Sequence, residues 1–108
     1  MTPPSVGELE LAVLLTIARL GPDAYGASIR RSLLERTGRE HAVGTMFTTL
    51  QRIEAKGLVV SSTSEPTAVR GGRARRCFQL TKLGARVLQD ARQASAALWK
   101  GVPRVTTA

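Results

Sequence analysis

The segment Glu8–Leu20 constrains this chain more than any other. It reads Glu-Leu-Glu-Leu-Ala-Val-Leu-Leu-Thr-Ile-Ala-Arg-Leu and is apolar on most sides. It contains no breaker, so it predicts a helix that must be covered over much of its circumference. Gly21-Pro22 ends that helix, because Pro cannot continue the hydrogen-bond ladder and Gly accepts the left-handed turn. A chain of 108 residues allows one domain with a modest core. Part of the cover is therefore expected from a second subunit, with Leu11 and Leu14 at the contact.

Asp23-Ala-Tyr-Gly26 reads as a connector into a second helix, Ala27 to Thr37. Ile29 and Leu33, with or without Leu34, form its buried stripe, and Arg30, Arg31, Glu35 and Arg36 face outward. Gly38 closes it. Arg39 to Val43 is either a turn or a small strand. A third short helix, Thr45 to Lys56, follows, punctuated by Gly44 and Gly57. Met46, Phe47, Leu50 and Ile53 form its apolar back. Thr45, Thr48, Thr49 and Arg52 form its front. Two short helices with a tight connection, the second carrying a polar front, make a helix-turn-helix. Hydroxyls on such a front bond phosphates or base edges, and an arginine can fork onto guanine. Taken alone, the third helix reads more simply as an ordinary amphipathic helix with a solvated face; the flanking segments favour the DNA-facing reading.

After Gly57 the pattern changes. Leu58 to Thr63 is short and β-branched, and Arg76 to Leu80 is a second strand candidate with Phe78 and Leu80 on one face. Gly71-Gly72 between them signals a turn, and Arg70, Arg73, Arg75 and Arg76 cluster around it. The reading is a hairpin tipped with guanidinium groups, suited to backbone or minor-groove contact. Thr81 caps a long last helix from Lys82 towards Trp99. Gly84, Val87, Ala91, Ala94 and Leu98 alternate by three and four along it. That seam either docks on its own domain or pairs with a second copy. Dimerisation is favoured, because the first half of the chain has little surface left to receive so long a helix.

The expected fold is mainly α with a small β-hairpin wing: a winged helix-turn-helix plus a C-terminal dimerisation helix. Its expected divisions are a flexible arm over 1–7, a DNA-binding domain over 8–80, a dimerisation helix over 81–100 and a tail over 101–108. The charge agrees. The net charge is +8, and residues 1–38 balance Arg19, Arg30, Arg31 and Arg36 against Glu8, Glu10, Asp23 and Glu35. The whole excess lies after Gly38, which favours a polyanionic partner.

Several classes are not supported. The chain has one cysteine, Cys77, so no internal disulfide is expected; it is a strand residue unless an exposed, low-pKa thiol makes it a redox sensor. His41 has no second ligand at metal-binding spacing, so no metal site is expected. There is no Ser-His-Asp or Cys-His grouping, no phosphate-cradling glycine loop and no paired carboxylates in a cleft. No catalytic role and no cofactor is expected. No apolar stretch is long enough to cross a bilayer, and the N-terminal residues lack the pattern of a secretion signal, so a cytoplasmic location is expected.

The motifs resemble one family, the PadR-like transcriptional regulators. The resemblance rests on Glu8-Leu-Glu-Leu-Ala-Val-Leu-Leu15, on Gly21-Pro22 with Tyr25-Gly26, and on Gly44-Thr45 running to Leu50, Arg52, Ile53, Glu54 and Gly57-Leu58. It continues through Gly72-Arg73-Ala-Arg75-Arg76, Phe78-Gln-Leu-Thr81 and Gly84. It spans about residues 8–90 and is similar to the short branch with one C-terminal helix. It implies a homodimeric cytosolic repressor of an inverted repeat in double-stranded DNA. Tyr25, Gly44, Thr45 and the following helix face would lie at DNA, with the Arg73 region as the wing. Tyr25 either bonds a phosphate or packs its ring between helices. Phe47 stands where the family usually has Tyr, and Thr48 where it has Pro. Phe47 cannot supply a hydroxyl to a phosphate, so that contact is either weakened or falls to Thr45, Thr48 and Thr49. Some relatives hold flat aromatic effectors between their last helices, so Trp99 is either a stacking platform for a small aromatic effector or a cover for the core edge. The rival reading is a winged-helix protein-interaction module with only non-specific nucleic-acid affinity. An RNA-binding domain is less favoured, since no aromatic platform accompanies the arginines.

Overall fold

The structure, a computed structural model, describes residues 2–63 and 75–107. In chain order it contains α1 (Glu8–Leu20), a 3-10 turn (Gly21–Asp23), α2 (Gly26–Thr37), α3 (Val43–Ala55), β1 (Val59–Thr63), β2 (Arg76–Leu80) and α4 (Lys82–Trp99). Mainly helical, with one antiparallel hairpin, this is the winged-helix arrangement expected from the sequence.

The apolar α1 is the central post. Val13, Leu14 and Ile17 are buried, and α2, α3, β2 and α4 all pack on it. Gly21 adopts a positive φ of 58°, and its N–H bonds the Ile17 carbonyl, which turns the chain sharply after α1. The core continues through Ala24, Ile29 and Leu33 of the second segment, Met46, Leu50 and Ile53 of α3, and Leu58, Val59, Phe78 and Val87. Among the described residues, Phe78 is its one aromatic side chain.

Residues 39–42 form no strand, which settles the open reading of that connector. Arg30 holds it in place: its Nε donates to the His41 carbonyl at 2.6 Å, and a second guanidinium nitrogen meets Glu40 at 3.1 Å. α3 starts two residues earlier than predicted, with Ala42 as its N-cap.

The hairpin register pairs Val59 with Leu80 and Thr63 with Arg76. A third short piece joins its edge. Tyr25 bridges Cys77, and the Phe78 N–H donates to the Ala24 carbonyl at 2.8 Å. The root of the wing is thereby tied to the start of α2.

α4 is divided between the core of its own domain and solvent. Thr81 caps it by accepting the Gly84 N–H at 3.0 Å, while its hydroxyl donates to the Gly57 carbonyl at 2.7 Å. Gly84 and Val87 are buried against the helix's own domain, so the first half of α4 is part of the core. Beyond Ala91 every residue of α4 is exposed. The N-terminal arm is also tethered. Lys56 Nζ donates to the Ser5 carbonyl at 2.9 Å, and Val6 packs at the core edge.

Candidate nucleic-acid interface

At 3.6 residues per turn, the buried face of α3 fixes what its outer face must be. Met46, Thr49, Leu50 and Ile53 point inward. Gly44, Thr48, Gln51 and Ala55 therefore lie opposite, at the centre of the exposed face. Phe47 flanks that centre on one side, and Thr45 and Arg52 flank it on the other; all of these are exposed.

This placement brings Gly44, Thr45, Thr48 and Arg52 together and corrects two assignments. Thr49 is buried, and its hydroxyl donates to the Thr45 carbonyl at 2.8 Å, so it belongs to the back of α3. Phe47, assigned to the apolar back, is 59% exposed. The periodicity from Met46 admits either residue 49 or residue 50 as its next inward position. The packed helix takes both and turns Phe47 out. Thr48 is exposed as predicted, but its one hydroxyl proton is used within the helix, on the Gly44 carbonyl at 3.0 Å. Thr45 and Arg52 thus carry the polar chemistry of that flank. Gln51 was missed, because an uncharged polar residue gives no periodic or charge signal.

On the Phe47 side lies an open cleft of about 500 Å³ between α3, the start of α2 and the wing root. It is lined by Tyr25, Phe47, Leu50, Gln51 and Phe78, with Glu54, Arg75 and Arg76 at its border. The Arg75 guanidinium stacks 4.3 Å from the centroid of the half-buried Tyr25 ring. A cation over an aromatic face is held there by the ring's negative π surface. Arg75 is thus placed beside α3 by the aromatic residue that caps the start of α2. Ser28 supports that aromatic: its hydroxyl accepts the Tyr25 N–H at 3.0 Å and bonds the Asp23 carbonyl. A small network fixes the wing root to α3. The Ser61 hydroxyl donates to Glu54 at 2.6 Å and accepts from Arg76 Nε at 2.9 Å, and Arg76 also meets Glu54 at 3.5 Å. Arg70 and Arg73, predicted at the tip of the wing, lie outside the described residues.

On the opposite flank, Gly44, Thr45, Thr48 and Arg52 border a groove shared with Gly7 to Glu10 at the start of α1. Glu10 receives Lys56 Nζ at 2.8 and 2.9 Å and the Gly7 N–H at 2.8 Å. Partial burial pushes the Glu10 carboxyl upward. The Gly7 bond, the Lys56 bond and charge, and Arg52 outweigh it, leaving the group below its ordinary value. Glu10 is thus held as a carboxylate, and its negative charge beside α3 is offset by the ion pair with Lys56.

The predicted dimer set is divided by the fold. Leu14 is fully buried within its own chain and Val87 nearly so; both are core residues, because α1 is central and α4 docks through its first two turns. Leu11 and Ala91 are half-buried, and Ala94 and Leu98 are exposed. Leu98 is 79% and Trp99 62% exposed, so Trp99 does not cover the core edge of its own chain. Among the described residues, no three His, Cys, Asp or Glu side chains stand close enough to hold a metal ion. No helix among them is long and apolar enough to cross a membrane.

The fold recurs in solved proteins. A PadR-like transcription factor from Bacteroides fragilis superposes with a TM-score of 0.73 at 24% identity, over 87% of this chain and 85% of that one. A PadR family transcriptional regulator from Eggerthella lenta gives 0.65 at 28% identity, over 87% and 83%. A PadR-like transcriptional regulator from Bacillus cereus gives 0.69 at 20% identity, over 87% and 86%. No protein of curated function matches the chain. The family model for PadR-like transcriptional regulators matches residues 13–90, from the middle of α1 to the middle of α4. With that match spanning most of the chain, the helix-turn-helix, the wing and the docked half of α4, this protein belongs to the PadR-like family of DNA-binding transcriptional regulators.

Proposed function

We propose that the protein is a homodimeric repressor that binds an inverted repeat. α3 of each subunit enters a major groove, with half-sites about 34 Å, one helical turn, apart. The observation that carries this reading is the joint exposure of Gly44, Thr45, Thr48 and Arg52 on one helix beside a cationic wing root. Thr45 positions the helix on phosphate, and Arg52 reads a base edge. Arg75, stacked on Tyr25, holds the backbone together with Arg70 and Arg73 of the wing. Gly44 lets the groove wall approach the helix closely.

Dimerisation is assigned to the outer half of α4, where Ala91, Ala94 and Leu98 continue the seam that Gly84 and Val87 begin. Leu11 adds to the contact. The small alanines allow two such helices to approach closely. A large exposed Leu and Trp at the end of a helix are costly to leave in water, and a second copy removes them from it. Trp99 is then the platform for a flat aromatic effector held between subunits. Such a ligand relieves repression only if it prefers one subunit arrangement over the other. The proposed location is the cytoplasm, with access to DNA.

The test is a reporter gene placed behind the protein's own upstream DNA, with and without the protein. Lower expression with the protein, and none of this effect with Arg52→Ala, is the expected result. Raised expression would contradict the repressor assignment.

A further inference from the structure

The exposed face of α3 is less polar than its sequence suggests, and this bears on which bases it selects. The Thr48 proton is engaged within the helix, and Thr49 is buried. On the cleft side the ring of Phe47 is 59% exposed, beside the cleft that Tyr25, Leu50 and Phe78 also line. Its neighbour one turn on is Gln51, which borders the same cleft and lies at the centre of the front. Side chains four apart on a helix stand about 5–6 Å from one another. They can therefore address a single base pair or two adjacent ones.

These two side chains have complementary chemistry. In the major groove an apolar group such as Phe recognises the thymine 5-methyl, and the Gln amide forks onto adenine N6 and N7. Neither favours a guanine–cytosine pair in the same place. Accepting the DNA-binding role proposed above, we infer that Phe47 and Gln51 together select an adenine–thymine pair, or two adjacent ones, in each half-site. Phe47 packs on the thymine methyl, and Gln51 bonds the adenine. Base selection by this helix is then divided. Arg52 addresses one edge of the site, and the Phe47–Gln51 pair addresses the other.

The test starts from duplexes enriched by the full-length protein from a random library. In the enriched duplex each thymine is replaced singly by deoxyuridine, which removes only the 5-methyl group. One thymine per half-site should then weaken binding about fourfold, the effect of uncovering one methyl group. Replacing that thymine–adenine pair by cytosine–guanine should weaken binding further, and 5-methylcytosine should recover part of the loss. With Phe47→Ala the deoxyuridine penalty should vanish, since the side chain is exposed and its loss leaves the core intact. With Gln51→Ala, the preference for adenine at the selected pair or its neighbour should relax. A flat deoxyuridine scan with the wild-type protein, or a penalty that persists in Phe47→Ala, would overturn the inference while leaving DNA binding standing. Failure of the library to yield any enriched sequence would overturn it together with the proposed function.

Discussion

A Cβ atom on Gly84 would collide with the backbone carbonyl of Leu58. The first turn of α4 therefore lies directly against the chain that leaves α3, closer than any residue but glycine allows. Because the obstacle is backbone, it cannot swing aside as a side chain would. Gly84→Ala should destabilise the protein by about 1–3 kcal/mol, the usual range for overpacking a fitted core. Urea denaturation checks this, and an unchanged midpoint would show that α4 can lift away without loss.

Gly44 gives the opposite case. Nothing stands within 4 Å of the place where its Cβ would be. Its backbone is helical, so alanine should be tolerated and should stabilise the helix by a few tenths of a kcal/mol up to about 1 kcal/mol. Gly44→Ala should nonetheless weaken DNA binding, because the added methyl stands at the centre of the proposed contact face. Thermal denaturation and a DNA titration on the same variant separate the two effects. Equal affinity would mean that DNA does not approach α3 closely at this point.

Glu10 makes stability depend on acid. A carboxylate whose folded-state pKa is depressed contributes stability above its unfolded value and loses it as the pH falls through the folded value. Glu10→Gln should therefore be less stable than the parent protein at neutral pH. The gap should close as the pH drops below the ordinary carboxylate range. Denaturant titrations across that range check the sign, and a gap that widens in acid would contradict it.

The outer half of α4 can be tested without disturbing the core, because Leu98 is 79% exposed. Leu98→Asp should shift the protein from a dimer to a monomer with unchanged helix content. Sedimentation velocity over a range of concentrations reads the change. A parent protein that sediments as a monomer throughout would remove the dimer from the proposal.

The parts that were legible from the sequence share a physical origin. α1, the Gly21-Pro22 break and the two strands follow from local rules: a run of apolar residues, a residue that cannot extend a helix, a β-branched run. The orientation of α3 about its axis was only partly legible. Met46, Leu50 and Ile53 fix its back, but Phe47 and Thr49 flank that stripe, and hydrophobicity alone ranked Phe47 as the inward residue. Packing against α1, α2 and β1 turned Phe47 outward instead, and the Thr49 hydroxyl could be buried because the helix supplies its own acceptor. Val87 and Leu14 were misassigned for a related reason. A seam of apolar residues looks the same whether its partner is another subunit or the remainder of its own fold. The Arg75–Tyr25 stack was not legible at all, since it joins residues fifty positions apart through the bridge between Tyr25 and Cys77.

The wing should contribute affinity without selectivity. If Arg73 neutralises one phosphate, Arg73→Ala weakens binding to all sequences and lowers the slope of log affinity against log salt by about one unit. Arg52→Ala should instead narrow the difference between specific and random DNA. An unchanged salt slope would remove Arg73 from the backbone. Equal losses on both DNAs would remove Arg52 from base reading.

The most direct measurement is a fluorescence-anisotropy titration against DNA from the protein's own upstream region, beside scrambled DNA, at several salt concentrations. A saturable complex of two subunits per site, tighter on the upstream DNA by tenfold or more, about 1.4 kcal/mol, is the predicted result. Equal and steeply salt-dependent binding to both would contradict an autoregulating dimer and would leave the basic wing with non-specific affinity alone.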